Sequence, residues 1–262
     1  GAGEAPSWVV DALRAAGCVF AEDEAAILFE AASDADELVT LLRRRVDGSP
    51  LEHIVGWAGF DGLRVAVEPG VFVPRRRSEL LVREAESLLR GFSAPIVVDL
   101  CCGSGGIGLA IATRVPGVEL HAADLDPRAV GCARRNLAPA GGTVYQGDLF
   151  DPLPATLRDR VQVLVANAPY VPTAAIALLP PEARDHEPIG SLDGGPDGTD
   201  VLRRLIAGSP SRLARNGTVL VEVGESQIPR ITAALESAGL DASVVTDDEM
   251  GAIVARGRQS RG

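Results

Sequence analysis

Hydrophobic positions recur at helical spacing through residues 7–47 and change period afterwards. Val9, Val10 and Leu13 share one face of a first helix that Ser7 is placed to cap. A second helix is predicted over residues 22–32. A third, capped by Ser33 or Asp34, carries Leu38, Leu41 and Leu42 and ends near Gly48. Residues 51–73 alternate more like strands: His53-Ile54-Val55-Gly56-Trp57, a turn at Asp61-Gly62, then Leu63-Arg64-Val65-Ala66-Val67. That pattern predicts a β-hairpin.

From residue 78 the period switches repeatedly. Helices are predicted over 78–90, 106–114, 127–137, 199–214 and 226–237. Strands are predicted at 96–100, 118–123, near 144, at 161–166, 218–223, near 241–246 and 252–256. Strands that are apolar throughout and lie between helices imply a parallel sheet covered on both faces. The last two, separated only by residues 247–251, must pair antiparallel. The expected fold is α/β, with a seven-stranded, Rossmann-like sheet. The expected organisation is a helical domain over 1–48, a β-hairpin linker over 49–77 and the α/β domain over 78–262.

Composition narrows the chemistry. The 262 residues carry a net charge of −11, and all 25 basic residues are arginine. The acid excess counts against a broad nucleic-acid footprint, although Arg75-Arg76-Arg77 is a local basic cluster. Without lysine there is no Schiff base, no P-loop lysine and no tyrosine–lysine dehydrogenase pair. Cys18, Cys101, Cys102 and Cys132 form no Cys-x-x-Cys pair, and no histidine stands at metal spacing from them. The expectation is reduced thiols in a cytoplasm and no metal site. No apolar run approaches the ~18 residues a membrane span requires, and no signal-like segment opens the sequence. The leading Gly1-Ala2-Gly3 reads as a cloning scar.

The first chemical motif is Asp99-Leu100-Cys101-Cys102-Gly103-Ser104-Gly105-Gly106-Ile107-Gly108, a strand entering a glycine turn that opens a helix. Glycines admit close approach by a ligand, and the helix start offers free N–H groups. The spacing alone also fits a dinucleotide fingerprint. Asp99, placed before the glycines where it can meet an amino-acid ammonium, and the missing hydride-transfer pair favour S-adenosylmethionine. Asp124 ends the second strand of the α/β region, where an acid suits ribose hydroxyls in either reading. Asp126, followed by Pro127, reads as a helix cap. Asp148 after the third strand can accept an adenine amino group, with Leu149 or Phe150 against the ring.

The second motif, Asn167-Ala168-Pro169-Tyr170, follows the fourth strand beside the glycine loop. An amide or exocyclic amino nitrogen is a poor nucleophile because its lone pair is delocalised. The Asn167 side-chain oxygen and a following backbone carbonyl can accept both its N–H protons and hold it in line. Tyr170 offers a ring face to a planar acceptor. On its own the tetrapeptide fits an Asn-x-Pro turn equally well.

Here the sequence resembles the HemK/PrmC-type protein glutamine N(5)-methyltransferases, which modify the Gly-Gly-Gln glutamine of peptide-chain release factors. The likeness runs along Pro50–Gly56, Val71–Glu79, Asp185–Pro188, Leu192–Gly198 and Val221–Gly224. The Glu187-Pro188 and Asp193-Gly194-Gly195-Pro196-Asp197-Gly198 stretch is its most specific part. The resemblance implies a class I methyltransferase fold, with Cys101, Cys102, Gly103, Ser104, Gly105, Asp124, Asp148, Leu149 and Asn167 on the cofactor. It puts the glutamine side chain on Phe72 and Asn167 through Tyr170, with Arg75 and Glu79 at the pocket floor, and it makes a release factor the partner. Asn167, Pro169 and Tyr170 are the expected catalytic residues.

Four departures stand out. Ala168 replaces the family's first proline, Pro74-Arg75-Arg76 stands for the family's Pro-Arg-Pro, two cysteines occupy the glycine loop, and the helical stretch is shorter than the family's. The alternative acceptors are a nucleic-acid base amino group and a small-molecule amine or amide. His186 reads as a structural loop residue, and neither His53 nor His121 is placed in the site.

Overall fold

The computed structural model describes residues 4–260, so Gly1-Ala2-Gly3 lies outside the described residues. Three helices open the chain: α1 (Ser7–Ala15), α2 (Ala21–Ala31) and α3 (Ala35–Val46). Val9, Leu13, Ala25, Leu28, Leu38 and Leu42 interlock as their common core. Asp34 caps α3 by accepting the Glu37 N–H at 2.8 Å. Ser7 lies inside α1 and makes no capping bond, and Pro6 precedes it. Arg45 ties this bundle to a later loop, with Nε on Glu24 (2.6 Å) and Nη1 on Glu182 (2.7 Å).

One expectation fails in the next segment. Residues 51–55 form a short helix, α4 (Leu51–Val55), in place of a strand. Leu51, Ile54 and Val55 stand at i, i+3 and i+4, so a single helical turn packs all three against the bundle. Gly56 then ends it at φ 82°. The hairpin proper is β1 (Trp57–Phe60) with β2 (Leu63–Ala66). Its two-residue turn, Asp61 at φ 51° and Gly62 at φ 76°, is the type I′ geometry that matches strand twist. Asn136 clamps the hairpin to the glycine loop, donating to Ala66 O (2.9 Å) and Ser104 O (2.8 Å).

The remaining elements are α5 (Glu79–Leu89), β3 (Ile96–Leu100), α6 (Gly106–Arg114), β4 (Glu119–Asp124), α7 (Pro127–Leu137), β5 (Thr143–Gln146), β6 (Val161–Ala166), α8 (Pro181–His186), α9 (Asp200–Gly208), β7 (Leu213–Glu222), α10 (Ile228–Ser237), β8 (Asp241–Asp247) and β9 (Ala252–Arg258). They build one seven-stranded sheet in the order β5-β4-β3-β6-β7-β9-β8. Only β9 runs against its neighbours. The sequence pattern predicts α9 running on to residue 214. The helix stops at Gly208 because Pro210 cannot continue it, and Leu213 already belongs to β7. Separate apolar cores cover the two faces of the sheet.

The strand order reverses between β3 and β6, which opens a crevice beyond their carboxyl ends. Register makes that edge specific. Leu100 pairs with both Ala123 and Ala166, and Ala166 pairs with Val221. The next residue on each strand therefore falls in one row: Asp124, Cys101, Asn167 and Glu222. Among the described residues no helix is long and apolar enough to cross a membrane.

Candidate active site

The turn after β3 is held open by backbone conformation. Cys101 (φ 54°), Gly103 (φ 54°) and Gly105 (φ 80°) all sit in the left-handed region. For Cys101 that is a strained state, of the kind found where surroundings over-determine the chain. Gly105 needs its hydrogen for packing too: a Cβ there would stand 3.3 Å from Ala133 and 3.2 Å from Leu137. The turn thus lies tight against α7, and the Cys102 and Gly105 N–H groups are taken by Ala123 O and Cys102 O.

Two buried acids brace this turn. Asp99 is wholly buried, and its Oδ2 accepts the Gly108 N–H at 3.0 Å. Its Oδ1 has no partner among the described residues. Burial raises its carboxyl to about 7, although the Gly108 N–H pulls the other way. An orphaned carboxylate oxygen beneath the glycine loop is suited to a cationic group. Asp124 accepts the Gly103 N–H on Oδ2 and the Asp126 N–H on Oδ1, both at 2.9 Å. Burial raises its carboxyl as well. Burial also pushes the Cys101 and Cys102 thiols up, so both stay protonated near neutral pH.

These elements enclose a cavity of about 350 Å³, within the ~300–1,000 Å³ range of small-molecule sites. Its wall carries Cys101, Cys102, Gly103 and Ser104 from the glycine turn, and Asp124 and Leu125 after β4. Asp148 and Leu149 follow β5, and Val201 and Arg204 come from α9. Leu149, like Cys101, is a non-glycine residue at positive φ, 46°. Arg204 bonds Asp148 at 2.6 Å across the rim. At the other end stand Phe72, Pro74 and Ser78, Asn167 and Pro169, and Pro188, Gly190 and Ser191. Apolar walls at one end, acids along one side and an unpartnered carboxylate below fit an elongated ligand carrying a ring, hydroxyls and an ammonium.

Asn167 stands where this cavity meets the sheet edge. Its Nδ2 donates to Ser78 Oγ at 3.1 Å, and Ser78 Oγ donates to Glu222 Oε2 at 2.6 Å. Glu222 is 1% exposed and also takes Arg77 Nε and Tyr170 Oη on Oε1, each at 2.8 Å. Asn167 Oδ1 accepts no bond from the described residues and is not enclosed. No described donor takes the carbonyls of Ala168 or Pro169, whereas Gln227 Nε2 occupies that of Tyr170 at 2.8 Å.

The Asp193–Gly198 stretch underlies this geometry. A Cβ on Gly198 would lie 2.2 Å from Tyr170 O, and one on Gly194 would lie 2.8 Å from Pro169 O. Only glycine lets the two backbones touch there. Glu187 pairs with Arg75, whose guanidinium caps the Phe72 ring at 5.1 Å.

The sequence-predicted residues divide accordingly. Cys101, Cys102, Gly103, Ser104, Asp124, Asp148, Leu149, Asn167, Phe72 and Pro169 line the cavity. Asp99 and Gly105 lie beneath it. The Ala168 side chain is buried in the core under α9, and Phe150 is turned towards Gly208. Tyr170 lines a second cleft with Arg77 and Glu222. Arg75 and Glu79 do not line the cavity; Glu79 accepts the Asp61 N–H in the hairpin turn at 3.1 Å. His53 Nε2 donates to Val71 O at 2.8 Å, and His121 stacks on Tyr145. A carbonyl has no proton to give, so His53 Nε2 carries the hydrogen. Ser78, Glu222 and Arg204 were missed. Glu222 had a visible signal, an acid closing an apolar strand, as Asp99 and Asp124 do.

Comparison with known proteins gives the chain's family. The model of the methyltransferase small domain matches residues 62–178. The release factor glutamine methyltransferase of Geobacter sulfurreducens is 36% identical over 201 residues, covering 76% of this chain and 69% of that protein. The 4-amino-L-phenylalanine/4-methylamino-L-phenylalanine methyltransferase of Streptomyces pristinaespiralis is 36% identical over 203 residues, covering 76% and 69%. Among solved structures, the hMettl16 catalytic domain in complex with a 3'UTR hairpin aligns at TM-score 0.61 and 14% identity, over 92% of this chain and 83% of that one. At that identity the structure shares the fold alone, a class I methyltransferase fold. With this sheet, this strand-end row and relatives of this identity and coverage, the chain is a methyltransferase and belongs to the release factor glutamine methyltransferase family.

Proposed function

We propose that this enzyme transfers a methyl group from S-adenosylmethionine to the side-chain amide nitrogen of a glutamine in a peptide-chain release factor. The observation that carries this reading is Asn167, which lines the cavity: its Nδ2 donates to Ser78 Oγ, and its Oδ1 accepts no bond from the described residues. Bound in the cleft, S-adenosylmethionine supplies an electrophilic methyl group. Asp99 would face its ammonium, Asp124 its ribose hydroxyls, and Asp148 with Leu149 its adenine. Cys101, Cys102, Gly103, Ser104 and Gly105 would follow its amino-acid end.

The chain's own part at the acceptor is to bind and orient. Asn167 Oδ1 and the free carbonyl of Ala168 or Pro169 accept the two protons of a primary amide. That draws the nitrogen lone pair out of conjugation and fixes its direction. Phe72 and Pro169 close the side-chain channel and exclude water. Tyr170 anchors the motif through Glu222. No strong base is needed, because the nitrogen's proton becomes acidic as the methyl arrives. We assign residues 1–48 to docking of the protein substrate, 49–77 to a linker and 78–262 to catalysis. The enzyme would work in the cytoplasm, where its cysteines stay reduced.

A second reading rests on the Streptomyces pristinaespiralis relative, whose name gives an aromatic amine as acceptor. A competition assay decides between them. Labelled S-adenosylmethionine is offered with a Gly-Gly-Gln release factor and with 4-amino-phenylalanine. The proposal expects label on the protein; label on the amino acid alone would replace it with the second reading.

A further inference from the structure

We infer that Glu222 and Ser78 are positioning residues: together they decide which end of the Asn167 amide faces the methyl acceptor. The inference rests on the reading of Asn167 as the acceptor-holding group. The oxygen and nitrogen of a side-chain amide are told apart by their partners. An ionised carboxylate can only accept, so the 2.6 Å contact between Ser78 Oγ and Glu222 Oε2 must carry the serine's single proton. Ser78 Oγ then has only lone pairs left for Asn167, 3.1 Å away. The atom facing it has to be Nδ2, and Oδ1 has to face the cavity. Glu222 is itself pinned, because Arg77 Nε and Tyr170 Oη both donate to its other oxygen. The relay runs from the end of β7, through the segment ahead of α5, to the end of β6.

Glu222→Gln reverses the relay without changing its shape. Arg77 Nε can only donate, so the introduced amide keeps its oxygen there and turns its NH2 to Ser78. Ser78 then accepts from the new amide and donates to Asn167. Asn167 rotates its terminal torsion, and Nδ2 points at the acceptor's N–H. Two donors now face each other where one hydrogen bond belonged. Ser78→Ala behaves differently: Asn167 loses its guide but keeps the freedom to present Oδ1.

The test compares both single variants, the double variant and wild type on a Gly-Gly-Gln release factor, with S-adenosylhomocysteine binding measured alongside. Losing one preorganised hydrogen bond to the reacting group lowers kcat about 100-fold, which is the expectation for Glu222→Gln. Ser78→Ala is expected to lose about tenfold, on the order of one unpaired guide. The double variant should recover to the Ser78→Ala level, since the reversed relay no longer reaches Asn167. S-adenosylhomocysteine affinity should hold throughout. A merely structural role gives the opposite: losses that multiply in the double variant, or cofactor binding that falls with kcat. Either result overturns the inference.

A second readout needs no substrate. The Asn167 side-chain NH2 signal, assigned by its loss in Asn167→Ala, should exchange with solvent faster in Glu222→Gln than in wild type. Unchanged exchange overturns the inference as well. If wild type methylates no release factor, the proposed substrate fails, and the exchange measurement still decides the relay.

Discussion

Asp124→Asn should weaken cofactor binding far more than its near-identical shape implies. The carboxylate receives two backbone N–H groups, Asp126 on one oxygen and Gly103 on the other, both at 2.9 Å. An amide has one oxygen, so one N–H must face an NH2. A lost hydrogen bond to a charged group costs about 1.5–3 kcal/mol, and an unsatisfied buried donor about 1–3 kcal/mol. Against this stands the cost of burying the charge, which already raises the Asp124 carboxyl and which the neutral amide avoids. The net expectation is about 1.5–3 kcal/mol, or roughly 10- to 150-fold in Kd. The Gly103 N–H is the more vulnerable, because its turn is held in the left-handed region by this bond and by its glycine. Titration calorimetry with S-adenosylhomocysteine measures the effect directly. Affinity within twofold of wild type would refute the view that Asp124 organises the cofactor turn.

Three further outcomes follow from other contacts. Asp99, raised to about 7 by burial, must be ionised to hold an ammonium, so binding releases a proton at low pH. S-adenosylhomocysteine affinity should therefore fall as pH drops through 7, approaching about tenfold per unit, and Asp99→Asn should flatten the profile; a flat wild-type profile contradicts this. Gly198→Ala places a Cβ 2.2 Å from Tyr170 O at φ 76°; kcat should fall at least about tenfold while cofactor affinity stays within threefold, and an unchanged kcat would show that the motif does not depend on this contact. Ala168→Pro restores the family residue at a position whose N–H makes no bond among the described residues and whose φ is not positive; it should leave turnover intact and raise stability by about 0.4–1 kcal/mol, whereas a lower melting temperature would show that the loop cannot take the ring.

Most of the sheet was readable because its strands are continuous apolar runs. Val161–Ala166 and Pro127–Leu137 fall where the pattern places them. Two expectations fail for different reasons: Pro210 stops α9 early, and a short segment before β1 satisfies two periods at once. His53–Val55 alternates like a strand but also buries Leu51, Ile54 and Val55 at helical spacing, and tertiary contact with the bundle chose the helix. The cofactor side of the site was legible because it is local, a strand end followed by glycines. The acceptor side was less so. Asn167 announced itself, but Ser78 and Glu222 reach it from 89 and 55 residues away along the chain; sheet register brings Glu222 level, and the packing of the turn ahead of α5 brings Ser78. Tyr170 shows the same limit: sequence gives an aromatic beside the motif, while the fold turns its hydroxyl onto Glu222.

The central claim is that Asn167 holds an amide nitrogen for methylation. Wild type and Asn167→Ala should be incubated with S-adenosylmethionine and a Gly-Gly-Gln release factor, and the peptides read by tandem mass spectrometry. The account predicts one methyl group on the motif's glutamine with wild type. It predicts none with Asn167→Ala, whose S-adenosylhomocysteine affinity should stay within about tenfold of wild type. Methylated glutamine at undiminished rate from Asn167→Ala, or no methylated release factor from a wild-type enzyme that binds its cofactor, would contradict it.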